Sequence, residues 1–431
     1  MPHEGNDVAV KANATIPADC CANVGNIDMQ DGGTITIADG GQLIHSNEGV
    51  TATMQKNISK YTVSQTSGET KTDGWYFIAL PFSTSYIPNV KILRNEYDIY
   101  RLNNTIWENW KKEGDHYHYN LENSRGYLYA NSENVTLEFT GTVLPSASSK
   151  DVSVNAGFNL IGNPFAYNVY ADRPYYKMNE THTGIVVVEN FQSNPIAPCT
   201  GILVNAAEAG TVTFSKEAPA LSNNKGSLQM TLSKVKNERG VSTNYVQDNA
   251  IVSFSKGSTM PKFRLGDNAE IYIPQDGNDY AIAYSDGIGE MPVYFKATET
   301  GKYTITFDGD DMNGVKLIDK FENVTIDLCK DASCGDAACH VRSYTFTASA
   351  GDRRDRFVLV LGDANASEKG IFAYQNGNAI IIEGEGELQV FDIVGRMVVT
   401  QQINGNATIN APQNGVYVMK LNGKTQKIVI K

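Results

Sequence analysis

No stretch longer than ten residues in this 431-residue chain carries a helical period of apolar positions. What recurs instead is a short run of alternating apolar and polar residues, stopped by Gly, Asn, Asp or Pro. "TITIADGGQLI" (34–44), "GWYFIALPF" (74–82), "NAIVSFSKG" (249–257), "GKYTITFDG" (301–309) and "GVYVMKL" (415–421) all follow it. Alternation sends successive side chains to opposite faces of a strand, and the turn residues end each run before a helix can form. The 38 Gly, 22 Tyr and 16 Phe agree, since aromatic residues favour strands and glycine favours tight turns. The expected fold class is all-β.

At this length several cores are expected, and four segments are read from the spacing. Residues 1–60 hold short, even rungs with Gly-rich turns, the pattern of the last coils of a β-solenoid. Residues 61–220 and 221–362 place strands every eight to twelve residues, as tandem β-sandwiches of the Ig-like or jelly-roll kind do. Residues 362–370, "GDANASEKG", form a linker, and residues 371–431 a small C-terminal sandwich. Within 61–220, "GWYFIALPF" (74–82) and "GFNLIGNPF" (157–165) share Gly-aromatic-x-apolar-Ile-x-x-Pro-Phe, which points to duplication of half a sandwich or to two strands that end alike. Asn422-Gly423 is the strongest hairpin signal, because both residues accept the positive φ of a type I′ turn.

Charge narrows the partners. With 48 acidic against 36 basic residues, a formal charge of −12 and a pI near 5.1, nucleic acid is not expected, because phosphate binding needs clustered Lys and Arg. No apolar run approaches the roughly 20 residues of a membrane helix. The opening "MPHEGNDVAVKANA" shows no basic region followed by an apolar core, so either an export signal has been removed or the chain continues a longer protein, and the second is expected.

Residues able to carry chemistry are few. Cys329, Cys334 and Cys339 recur at five-residue steps beside His340. Without a CxxC pair, zinc is not favoured over a loop disulfide among the three or over free thiols. His116 and His118 would share one face of a strand, but no further ligand stands at a supporting spacing. "FDGDDMNGVK" (307–316) is acidic, yet Met312 and Asp319 fall where an EF-hand loop needs an oxygen ligand and a Glu, so it reads as a solvated turn. No nucleophile elbow or phosphate-binding loop is present, so neither an enzyme nor a cofactor or metal is expected. Trp107, Trp110, Tyr117 and Tyr119 are candidates for a glycan-stacking platform, set against the commoner fate of aromatics in a sandwich core.

The C-terminal segment carries the most specific pattern. "LQVFDIVGRMVV" (388–399) followed by "NGVYVMKLNGKTQKIVIK" (414–431) resembles the type A C-terminal sorting domain of proteins exported by the type IX secretion system of Bacteroidetes. The residues that carry the resemblance are Val390, Phe391, Asp392, Gly395 and Arg396, then Gly415 and Tyr417, then the basic-apolar strand Lys427 to Lys431. "APQNG" replaces the family's Leu-Pro-x-Gly. The rest resembles, less sharply, the body of Bacteroidales surface proteins, with "CKDASCGDAACHV" as an insertion. The resemblance implies secretion to the outer-membrane surface or beyond, with the tail read by the type IX machinery and then cleaved or attached to anionic lipopolysaccharide.

Bottom-up, Gly395 and Gly415 are expected as backbone requirements, Tyr417, Met419 and Leu421 as one face of a strand, and Val416 and Val418 as the other. A final strand with Lys424, Lys427 and Lys431 would offer a receptor an edge or a basic stripe. Three readings follow: a non-enzymatic surface protein whose tail is an address, an adhesin module that binds carbohydrate or host proteins, or an accessory region of a larger surface protease or glycosidase.

Overall fold

Alternation writes the first sixty residues into parallel rungs. In the computed structural model, which describes residues 5–66, 69–82, 97–111, 120–147, 149–220, 226–238, 241–309, 315–328, 341–361, 372–376, 379–410, 415–422 and 424–430, Val8–Val10 pairs in parallel with Ile27–Met29, Asn13–Ile16 with Thr34–Ile37, and Cys21–Asn23 with Gln42–Ile44. Partners lie 27 − 8 = 19 or 34 − 13 = 21 residues apart, one coil of the expected solenoid. Ile27, Ile35, Ile37 and Leu43 point inward and are buried. Strands dominate throughout: among the described residues the only helical element is a single 3-10 turn at Phe191–Ser193. The protein is all-β and built from many sheets.

The coil does not end at residue 60. Strand β1 (Thr51–Ile58) pairs in parallel with Thr34–Ile37 and, on its other edge, antiparallel with β6 (Val135–Thr142). One apolar core accordingly runs from Val24 to Cys199. The physical reason is the open end of a solenoid, whose unpaired edge and inward apolar residues must be covered, and here the following sandwich covers them.

That sandwich is a six-stranded framework written twice, to which the second copy adds a two-residue strand, Tyr170–Ala171, beside its last strand. The first copy comprises β1, β2 (Tyr76–Ala79), β3 (Tyr97–Asn103), β4 (Ile106–Asn109), β5 (Gly126–Asn131) and β6. The second comprises β7 (Ser149–Val154), β8 (Gly157–Gly162), β9 (Tyr175–Met178), β10 (Ile185–Val188), β11 (Gly201–Ala206) and β12 (Gly210–Ser215). In each copy the first strand pairs with the sixth, and the other four lie in the order second, fifth, third, fourth. The registers also coincide: Ile78 faces Tyr127 in the first copy as Ile161 faces Ile202 in the second. The shared signature of β2 and β8 therefore marks a duplication of the whole sandwich rather than half of one.

The copies meet through reciprocal contacts related by a local two-fold. Ile78 bridges to Thr200 as Ile161 bridges to Arg125. Ala79 N donates to Cys199 O at 3.2 Å, and Gly162 N to Ser124 O at 2.9 Å. Cys199 and Ser124 both adopt the left-handed backbone, at φ +55° and +58°. These two loops are tight, and the neighbouring copy consumes their carbonyls.

The expected boundary at 220 does not divide the packing either. Phe77, Leu128, Leu160, Tyr176 and Leu203 share a core with Ile251, Met260, Phe263 and Ile282 from the third segment. There, Ser227–Glu238 forms a long hairpin with Val241–Ser253, which pairs in parallel with Asn278–Tyr284. The chain forms two compact units, one of Met1–Tyr284, Tyr294–Asp308 and Ser343–Arg354, the other of Ser285–Val293, Gly309–Arg342 and Asp355–Lys431. The expected 221–362 sandwich thus divides its strands between them. In the second unit Phe357–Leu361 pairs with residues 289–293 and with Lys316–Asp319. Beneath that sheet Arg356 grips the buried Asp319 at 2.7–3.0 Å through Nε and Nη2. Such a pair is costly to break, because either partner alone would be a buried, uncompensated charge.

Candidate functional site

The C-terminal strands are β13 (Ala373–Asn376), β14 (Ala379–Asp392), β15 (Met397–Asn410), β16 (Gly415–Leu421) and β17 (Lys424–Ile430). The first half of β14 pairs with β13, the second half with β16, and β15 runs along its whole length. β16 then pairs with β17, with Leu421 opposite Lys424 across a two-residue turn. Asn422 has φ +46°, as a type I′ turn requires, while Gly423 lies outside the described residues. Gln426 ties β17 back to β13 by accepting from the N–H groups of Phe372 and Ala373 at 2.7 and 2.9 Å and donating to Ala373 O.

Alternation decides which motif residues are structural. Tyr417, Met419, Leu421, Ile428 and Ile430 face inward with Leu388 and Val390 and are buried. Phe391, Val416, Val418, Lys420 and Lys427 face outward. Phe391 stands opposite Val418, which stands opposite Lys427, so one residue from each of three strands makes a row across the outer surface. The Lys420 ammonium lies 5.4 Å from the Phe391 ring centroid, a cation–π contact.

Asp392, Gly395 and Arg396 build the turn between β14 and β15. Asp392 Oδ1 accepts from the N–H groups of Val394 and Arg396 at 3.0 and 2.9 Å, and Oδ2 from Arg396 Nε at 2.7 Å. Gly395 N donates to Asp392 O, and Gly395 takes φ +85°, a conformation that favours glycine. Desolvation opposes the Asp392 charge, but the bonds from Arg396 and Val394 outweigh it and hold the carboxyl below its ordinary value. The Asp-x-x-Gly-Arg pattern is thus a self-contained turn. Gly415 differs from its expected role: it has no positive φ, and a Cβ there would meet the Tyr417 ring at an ordinary 3.7 Å.

What this turn presents was not read from the sequence. Ile393 is 78% exposed and Val394 71%, with Met397 and Val398 also exposed just beyond the turn. Four large apolar side chains thus stand in water at one tip, beside the Arg396 guanidinium. A signal existed, since two adjacent aliphatic residues inside a tight turn have no core to enter.

Of the aromatic candidates, the two tryptophans join different cores. Trp107 packs edge-on to Phe263 at 6.4 Å in the core shared with the third segment. Trp110 packs against the solenoid-side core, donates from Nε1 to Asn120 O at 3.1 Å, and is capped by Arg101 at 3.9 Å. Tyr117, Tyr119, His116 and His118 lie outside the described residues, as do Cys329, Cys334, Cys339, His340, Asp310, Asp311, Asn313 and Lys431. Cys199 is buried, and burial pushes its thiol up to about 12. Among the described residues no three His, Cys, Asp or Glu side chains gather where they could hold a metal ion. No protein-family model and no curated protein matches the chain.

Proposed function

We propose that residues 371–431 are a sorting signal read by a type IX secretion machinery at the outer membrane, and that the preceding strands are the cargo it delivers to the cell surface or beyond. The observation that carries this reading is the exposed tip Ile393, Val394, Met397 and Val398. Large apolar side chains gathered on a folded surface mark a place where another protein docks. Two further features fit. The turn that presents the tip is locked by Asp392, Gly395 and Arg396, so a receptor meets a preformed shape. The row Phe391, Val418 and Lys427 adds an apolar and basic face beside it, one suited to an acidic receptor rim or, after processing, to anionic lipopolysaccharide.

The test is export of the full-length protein in a host with the type IX machinery. Ile393→Asp with Val394→Asp should leave the melting temperature of the purified protein unchanged, because both side chains are exposed, while cargo accumulates in the periplasm. Removal of 371–431 should trap it there as well. Normal secretion of either variant overturns the proposal.

A further inference from the structure

A polar cleft of about 390 Å³ opens in the first unit where the two sandwich copies meet. It lies between the end of β3 (Leu102), the loop before β5 (Glu122–Arg125), strand β7 (Lys150–Ser153) and the start of β8 (Phe158–Ile161). Its size falls in the range of small-molecule sites.

The cleft contains a lysine in an unusual place. β7 alternates, with Val152 and Val154 facing inward, and Lys150 shares their side of the strand. The duplication supplies an internal control. Lys150 faces Phe214 as Met54 faces Phe139 in the first copy, and Met54 is simply a buried core residue. The first copy does carry an inward lysine one pair along, Lys56, but that one reaches Asp39 at 3.0 Å. Lys150 has no carboxylate partner among the described residues, and its ammonium meets only Asn123 Oδ1 at 3.5 Å. Nearby acids are engaged elsewhere. Glu122 is held by Arg125 at 3.1 Å and Arg101 at 3.7 Å, and Asp151, on the opposite face of β7, accepts from Thr213 Oγ1 at 2.7 Å.

A donor with no partner adjoins it. Among the described residues, nothing accepts a hydrogen bond from the buried Asn123 Nδ2. An inward ammonium and an orphaned amide N–H₂ side by side match the two oxygens of a carboxylate, and a buried donor left unmade is expensive unless something occupies it. Asn104, Ser153, Asn155 and Phe158 also line the cleft, and amides, a hydroxyl and an aromatic ring are the groups that sugars pair with. Burial holds the Lys150 ammonium below its ordinary value, and a bound carboxylate would reverse that.

We propose that this cleft binds an acidic sugar, a uronic or sialic acid, whose carboxylate takes Lys150 Nζ and Asn123 Nδ2. The inference concerns the cargo and stands whether or not the tail is an export signal. Calorimetry on the full chain would use D-glucuronic acid, N-acetylneuraminic acid, D-glucose and acetate. One or both acids should bind at least about tenfold more tightly than glucose or acetate, and the two acids separate the uronic from the sialic source. Lys150→Met, which copies the first repeat's residue, should keep or raise the melting temperature and weaken acid binding by about ten- to a hundredfold. Lys150→Gln repeats the reading should the methionine variant fold poorly. No binding of either acid, equal binding of glucose or acetate, or binding that survives both substitutions overturns the proposal.

Discussion

Strands β2 and β8 carry one pattern, yet Leu80 of the first copy stands where Asn163 of the second does, and Ala79 where Gly162 does. Leu80 is buried among aliphatic and aromatic side chains. Asn163 is equally buried but works as a hub: Nδ2 donates to Tyr167 O and Ile196 O at 2.8 Å each, and Oδ1 accepts from Phe165 N at 2.8 Å. Ala79 and Gly162 face each other at the local two-fold, where a Cβ on Gly162 would lie 2.0 Å from that of Ala79. Identical topology has thus been filled by different chemistry wherever the copies meet different neighbours. The first copy leans on the solenoid and is apolar there; the second closes its own loops and needs polar ties. The pair Met54 and Lys150 belongs to the same divergence.

The largest effect that could break this comparison is at the hub. Asn163→Leu, which writes the first copy's residue into the second, should cost about 3 kcal/mol in chemical denaturation, because two carbonyls and one N–H lose their partner in the core. A neutral result would mean that the copies are interchangeable at this position.

A smaller effect sharpens it at the two-fold. Gly162→Ala should cost about 1–3 kcal/mol by overpacking against Ala79, and Ala79→Gly about 1 kcal/mol by loosening a strand. Combined, they exchange the two side chains across the axis, so the double variant should be more stable than Gly162→Ala alone. Simple additivity of the two costs would deny that the residues share one space.

The smallest effect is on pH. His182 stacks on Tyr76 at 3.8 Å and its Nδ1 lies 3.0 Å from Trp75 O, whereas the second copy has Asn159 in the place of Tyr76. Burial lowers the His182 pKa from its ordinary 6.5, against the hydrogen bond to Trp75, and burial likewise lowers that of His45. The folded state therefore prefers neutral imidazoles, and the unfolded chain takes up more protons below about pH 6.5. Stability from these groups is fully present above that pH and is lost as pH falls toward their folded values. Melting temperatures between pH 7.5 and 5 should decline, and less steeply in His182→Asn, which tolerates the residue's φ of +54°. An unchanged slope would remove His182 from this account.

Strand identity, the solenoid rungs, the repeated signature and the Asp-x-x-Gly-Arg turn were legible because each is local: alternation, a turn residue and a short side-chain-to-backbone bond suffice. The parting of the two tryptophans was legible too, since Trp107 and Trp110 are three residues apart and an odd separation along an extended chain sends side chains to opposite faces. The breaks at 60 and 220 were read from strand spacing, which is local, while the apolar cores run across both. β1 finds its partner β6 across more than seventy intervening residues, and no local pattern encodes that pairing.

By itself, then, the sequence determined that this chain is all strand, where most turns fall, and which face of each C-terminal strand is apolar, because those choices are settled within a few residues by sterics and the hydrophobic effect. Only the tertiary structure decided that two sandwiches are copies joined by a local two-fold, that Ile393 and Val394 end in water, and that Lys150, among the described residues, lacks the carboxylate Lys56 has. Each of those depends on which distant group occupies the adjoining space, and burial and charge pairing are properties of that neighbour as much as of the residue.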